Sequence, residues 1–216
     1  MAIVHKASLS PTKLELIASW LPTRPWFGGD ADVAFTQVGA FRFDDPAGEV
    51  GLQVLLVRPE GGGPLYQVPM TYRSAPFDEA GAGLMGEMAH SVLGPRWVYD
   101  GCHDPIFVGE LVRAVLTGGT EVDELVEVDG KVVNLPKSMH VSGSGDGSVT
   151  LPALGTLDVR TAGGDDSTAV VRSGSVEITV PRVLDGRVDI AGVATLTGSW
   201  GDGDSACLAT VRLLDG

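Results

Sequence analysis

His103-Asp104 is the only histidine in this chain with a carboxylate as its neighbour, and the pair could move a proton: an aspartate that holds one imidazole nitrogen raises the basicity of the other. The same two residues open Asp104-Pro105, an aspartate and proline that start a helix well, so Asp104 is read as a helix cap and His103 as the residue before it. His5, His90 and His140 are isolated along the chain, with no pair at the spacing of zinc ligands. Gly143-Ser144-Gly145-Asp146-Gly147-Ser148 is glycine-rich. It lacks the lysine of a phosphate loop, lies between two strand-like runs and holds an anion where a phosphate would sit, so it is read as a flexible hairpin. No His-x-Asp followed by asparagine, no Asp-Phe-Gly and no Val-Ala-x-Lys is present, and the parts of a phosphotransferase are not assembled. Asp44-Asp45, Asp165-Asp166 and Asp202-Gly203-Asp204 lack the distal glutamate of a calcium loop and are read as solvated turns. Cys102 and Cys207 are too few for a disulfide framework or a cysteine metal site and are expected as buried free thiols. No cofactor and no metal are implied.

The aromatic residues are the stronger candidates. All four tryptophans, Trp20, Trp26, Trp97 and Trp200, stand with Phe27, Tyr66, Tyr72 and Tyr99 as a set that serves a core, a protein interface or a sugar-stacking surface. Arg24 and Arg96 each lie near a tryptophan, which fits a guanidinium stacked on an indole as a clamp. The candidate interaction or sugar surface is therefore Trp20, Arg24, Trp26, Phe27, Arg96, Trp97, His103 and Trp200. A catalytic site, if the β-rich half carries one, would use Trp200, Asp202 and Asp204 in a loop.

Several elements must position these side chains. Ser10-Pro11 is expected to open a helix with Leu14, Ile17, Ala18 and Leu21 on one face, ended by Pro22. Over residues 34–72 the period changes to two, broken by the turn Pro59-Glu60-Gly61-Gly62-Gly63-Pro64, which predicts an antiparallel meander with one face buried. A second helix starts at Asp104-Pro105, carries Phe107, Val108, Leu111, Val112 and Val115 on one side, and stops at Gly118-Gly119. From Glu121 onward short alternating runs dominate, with hairpin chemistry at Asp129-Gly130 and Asp185-Gly186. The expected fold is α+β: an antiparallel sheet covered by two amphipathic helices, then a β-rich half. That half either extends the first sheet or forms a barrel or sandwich of its own. The expected division is 1–117 and 118–216.

With 28 acidic against 15 basic residues the net charge is −13, a field that repels phosphate backbones and anionic lipid. Neither nucleic acid nor membrane is expected as a partner. No apolar run approaches the length of a membrane helix and residues 1–10 lack signal-peptide character, so the expected location is the cytoplasm.

Trp20-Leu21-Pro22-Thr23-Arg24-Pro25-Trp26-Phe27-Gly28-Gly29 resembles the start of the N-terminal cap domain of bacterial maltokinases, where a helix ending in Trp-Leu-Pro runs into an Arg-x-Trp-Phe turn. Arg96-Trp97-Val98-Tyr99-Asp100, then His103-Asp104-Pro105 and a helix, resemble the end of that cap, so the likeness spans residues 3–117. It implies a curved antiparallel sheet with helical cover. In a maltokinase the cap leads into a two-lobed phosphotransferase, and here the chain reaches Gly216 without its motifs, so kinase activity is not carried over. The resemblance implies a non-catalytic, stand-alone interaction or regulatory module linked to trehalose, maltose and α-glucan metabolism, with a kinase or glucan-pathway enzyme as partner. The alternative is a carbohydrate-active enzyme or carbohydrate-binding module of α-glucan metabolism, with carbohydrate as ligand. Exposure of Trp20, Trp26, Trp97 and Trp200 separates these readings.

Overall fold

A computed structural model describes residues 2–4, 7–128, 131–162, 167–184 and 193–214. His5, Asp165-Asp166 and the turns Asp129-Gly130 and Asp185-Gly186 lie outside them. The first half builds β1 (Ala2–Val4), β2 (Leu9–Ser10), α1 (Lys13–Trp20), β3 (Phe35–Phe43), β4 (Gly51–Pro59), β5 (Tyr66–Arg73), β6 (Leu84–His90), β7 (Gly94–Asp100) and α2 (Pro105–Leu116). Then follow β8 (Glu124–Val128), β9 (Lys131–Asn134), β10 (Met139–Gly143), β11 (Asp158–Ala162), β12 (Thr168–Ser173), β13 (Val176–Pro181), β14 (Ala194–Trp200) and β15 (Asp204–Leu213). The protein is mostly antiparallel β, 47% strand and 17% helical. Among the described residues no helix is long and apolar enough to cross a membrane.

One sheet has the order β2-β6-β7-β5-β4-β3 and curls into a half-barrel. Its middle departs from the expected single buried face, because Leu52 through Val57 and Tyr66 through Thr71 are all buried. Leu52, Val54 and Leu56 point into one core, while Leu55 and Val57 point into another with α1. The reason is legible in retrospect: Val54-Leu55-Leu56-Val57 has no polar residue to give to solvent, so both faces must be covered.

Helix α1 begins later than expected. Ser10 ends β2, paired with Ala89, and the cap is Thr12. The Thr12 hydroxyl accepts from the Glu15 amide at 3.2 Å while the Glu15 carboxylate accepts from the Thr12 amide at 2.7 Å. That reciprocal box satisfies two free donors where Ser10 would satisfy one. Leu16, Ile17 and Trp20 are its buried face. Pro22 falls in the 3-10 turn Leu21–Thr23 that closes the helix.

Helix α2 is capped as expected, with Asp104 accepting from the Ile106 amide at 3.0 Å. Only Arg113 is fully exposed along it. The helix is wedged into a core containing Phe41, Leu52 and Leu56 of the first sheet and Val141, Leu196 and Leu208 of the second. A helix buried nearly all round needs apolar residues nearly all round, and Phe107, Val108, Leu111, Val112, Ala114, Val115 and Leu116 supply them. Its last carbonyls are met by Gly119, in the expected helix stop, and by the segment expected as a flexible hairpin. Gly119 N donates to Ala114 O at 2.8 Å, Gly145 N to Val115 O at 2.9 Å and Gly147 N to Leu116 O at 3.2 Å. The glycine run is thus a strap across the helix C-terminus, where free carbonyls require donors.

Gly109 sits on α2 with room to spare, since an added methyl would meet only Leu154 Cδ1, at 3.8 Å. Gly109→Ala is therefore expected to stabilise the protein by about 0.5–1 kcal/mol through reduced backbone entropy of the unfolded chain. A thermal melt should show a midpoint raised by about 2 °C.

The second sheet has the order β10-β14-β15-β13-β12-β11. It joins the first at two corners. Gln67 N donates to Arg182 O and Leu184 N to Leu65 O, at 2.9 and 2.8 Å, and the buried Gln67 amide donates to Pro181 O and Leu208 O. At the other corner the Ser138 hydroxyl bonds both the amide and the carbonyl of Ala40. A small sheet, β1-β8-β9, completes the fold.

Candidate functional site

The cap-like motif collapses around Tyr66. Trp20 and Trp26 meet edge to face at 6.1 Å, Trp26 lies 6.1 Å from Tyr66 and Phe27 5.4 Å from it. The Arg24 guanidinium stacks 5.0 Å from the Trp20 ring, the clamp expected for it. Trp20 and Trp26 are buried and Phe27 is half-buried. Trp200 is also buried but belongs to the other core, beneath the second sheet, so the structure does not bring it to the first two. Trp97 is half-buried on β7, opposite Arg73 and Glu87, and Arg96 donates to the Pro95 carbonyl at 3.1 Å. His103 is half-buried, and burial pushes its imidazole below the ordinary value. Its neighbour Asp104 is fully occupied: Thr71 Oγ1, Arg73 Nε and Nη2 and the Ile106 amide all donate to it, within 2.7–3.0 Å.

Two buried charges that sequence reading passed over stand behind this cluster. Arg182, just after β13, donates through Nη2 to Asp100 Oδ2 at 2.6 Å, and both side chains are almost wholly buried. Arg182 also faces the Trp26 ring at 5.7 Å, and Asp100 Oδ1 accepts from the Cys102 amide at 3.1 Å. Cys102 is buried among them, its thiol pushed up to about 12 mainly by desolvation, so it is inert; Cys207 is only half-buried. Nothing in the chain pairs position 100 with position 182 until β7 and β13 are laid side by side with β5 and β15.

A polar concavity lies elsewhere. Lys137, Ser138, His140, Ser199, Trp200 and Asp202 line a recess of about 480 Å³ at the edge of the second sheet, together with Met139, Gly201 and Gly203. Trp200 and Asp202 both line this recess, while Asp204 begins β15 opposite Trp200. Strands β10 and β14 pair antiparallel, with Met139 against Trp200 and His140 against Ser199. Met139 and Trp200 turn inward, so their neighbours His140 and Ser199 turn outward.

Glu121 anchors this wall. Its Oε1 accepts from His140 Nδ1 and from Lys137 Nζ, both at 2.9 Å, and its Oε2 from the Val141 amide at 2.7 Å. Lys137 also reaches Asp123 at 2.9 Å. Burial works against the Glu121 charge, but the Val141 amide, Lys137 and His140 outweigh it and hold the carboxyl below its ordinary 4.5. An ionised Glu121 accepts only, so His140 Nδ1 carries the proton of this hydrogen bond. His140 looked isolated in sequence and Glu121 was not singled out; nineteen residues of chain separate them. Among the described residues no group of three or more His, Cys, Asp or Glu could hold a metal ion.

Because the folded carboxyl titrates below the unfolded one, the contribution of Glu121 to stability is present above pH 4.5 and is lost as pH falls through the folded value. Glu121→Gln is therefore expected to flatten the acid limb of the stability curve below pH 4.5, as followed by urea unfolding across pH 3–6 on both chains.

Residues 20–104 match the family model of the maltokinase N-terminal cap domain, less than half of the chain. No curated protein matches the chain.

Proposed function

We propose that the cap unit of this chain, whose residues 20–104 match the maltokinase N-terminal cap domain, acts as a non-catalytic interaction or regulatory module linked to trehalose, maltose and α-glucan metabolism. In this reading residues 1–117 are the cap unit, residues 118–216 the β-rich addition, and the partner a cytoplasmic kinase or glucan-pathway enzyme. The match over residues 20–104 carries the reading, and two observations support it. Residues 105–216 hold no phosphate loop and no kinase catalytic motif. Trp20, Trp26 and Trp200 are spent on packing, which leaves no row of exposed rings for a sugar and favours a protein partner.

Within the matched region, large apolar side chains stand in solvent at Leu84, Val92 and Leu93, which are 46%, 56% and 44% exposed. Val92 and Leu93 form the turn between β6 and β7 and are the proposed contact point. Affinity capture with the purified full chain tests this. Recovery of a kinase or glucan-pathway enzyme, lost with Val92→Ser/Leu93→Ser at an unchanged melting midpoint, supports the module. An empty capture, with tryptophan fluorescence responding to maltose or glycogen, overturns it in favour of carbohydrate binding.

A further inference from the structure

The recess at the edge of the second sheet lies outside residues 20–104 and plays no part in the reading above. We propose that Ser199, His140 and Glu121 form a nucleophile, base and orienting carboxylate that cleave a small uncharged carboxylic ester in this recess.

The argument starts from strand register. His140 and Ser199 are direct partners across β10 and β14 on the outward face. Such partners have Cβ atoms about 4.5–5.5 Å apart, so a rotation about the serine χ1 brings Oγ within reach of the imidazole. The ring is held by Glu121, whose side chain is 5% exposed, while His140 is 70% exposed and open to the recess. With Nδ1 donating to Glu121, Nε2 is the free acceptor, the tautomer a general base needs. The two serines of the recess differ. Ser138 already bonds the amide and carbonyl of Ala40, whereas the Ser199 hydroxyl has no hydrogen-bond partner among the described residues. A nucleophile and base lacking substrate commonly stand farther apart than in the working complex.

Substrate class follows from the walls. The recess places one cation, Lys137, and one anion, Asp202, beside neutral groups, in a protein whose net charge of −13 repels anions. A neutral ester of a few carbons fits the volume. In the first step Ser199 Oγ bonds to the acyl carbon and its proton passes to His140 Nε2. The carbon–oxygen bond to the alcohol breaks, and the alkoxide leaves with that proton. Water then adds to the acyl carbon, giving its proton to Nε2, and Ser199 Oγ departs and recovers it. One ester and one water yield one alcohol and one carboxylic acid, with no redox change. Glu121 takes no proton; it is a positioning residue that holds the ring and stabilises the imidazolium.

The test is labelling of the full chain with a fluorophosphonate, read by peptide mass spectrometry, alongside hydrolysis of 4-nitrophenyl acetate. A single adduct on Ser199 is expected, with hydrolysis lost in Ser199→Ala. His140→Asn keeps a donor for Glu121 but has no base nitrogen, and should slow labelling by about 100-fold or more. Glu121→Gln should lower kcat by about 10-fold or more and leave KM unchanged. A chain that melts normally but carries no adduct on Ser199, or labels as fast in His140→Asn as in the native chain, overturns the proposal. All three variants leave residues 20–104 intact, so this outcome is separate from that of the capture experiment.

Discussion

Arg182→Met is expected to cost about 3–5 kcal/mol of stability, the loss seen when one member of a buried ion pair is removed. The Asp100 carboxylate, almost wholly buried, would lose its cation and keep the Cys102 amide as a donor, an uncompensated buried charge. Arg182 also faces the Trp26 ring, and its backbone carbonyl, which methionine keeps, accepts from the Gln67 amide, so the lost ion pair lies at the seam between the two sheets. For a chain of this size the thermal midpoint should fall by about 10 °C. The companion variant is more telling. Arg182→Met combined with Asp100→Leu removes both charges and their desolvation, and Arg182 Nη1 has no hydrogen-bond partner among the described residues. The double variant should recover most of the loss, because apolar replacement of a buried pair is often neutral. A single variant that melts within 2 °C of the native chain would show that the pair does not join the sheets.

The second large effect is expected at the glycine strap. A methyl on Gly145 would lie 2.0 Å from the Leu116 carbonyl oxygen, and one on Gly143 1.9 Å from that of Ala114. Both obstacles are backbone atoms of α2, so no side-chain rotation relieves them; either the strap lifts or the helix end shifts. Lifting the strap strips the donor from Val115 O and exposes a helix terminus that packs between the sheets. Gly145→Ala and Gly143→Ala should each cost about 3 kcal/mol or more, at the upper end of overpacking effects. Gly147 is the internal control. A methyl there would meet Thr117 Cβ at an unstrained 4.0 Å and the φ is +75°, so alanine meets the left-handed penalty of about 1–2 kcal/mol without a clash. Urea midpoints in the order Gly147→Ala above Gly145→Ala, with Gly109→Ala above the native chain, would confirm that close approach rather than loop flexibility selects these glycines.

Local rules were readable along the chain, and they reached as far as their physics does. The Asp104 cap, the Pro22 stop and the Arg24–Trp20 stack are all decided by neighbours within a few positions. The aromatic motif from Trp20 to Gly29 identified the cap-like region, which the family match places at residues 20–104. Two local signals competed at α1, and the capping box at Thr12 won over Ser10-Pro11 because it satisfies two amides reciprocally.

What the sequence by itself determined, then, is the helix that Asp104-Pro105 opens, the strand-rich character of residues 34–72 and of the second half, and which family the first half resembles. Tertiary structure alone decided who meets whom. Glu121 finds His140 across 19 residues and Asp100 finds Arg182 across 82. The glycine run finds the end of α2, and β4 is covered on both faces rather than one. Periodicity reports whether a side chain faces in or out, but it carries no record of strand order or register. A charge pair, a dyad or a close backbone approach exists only once those are set.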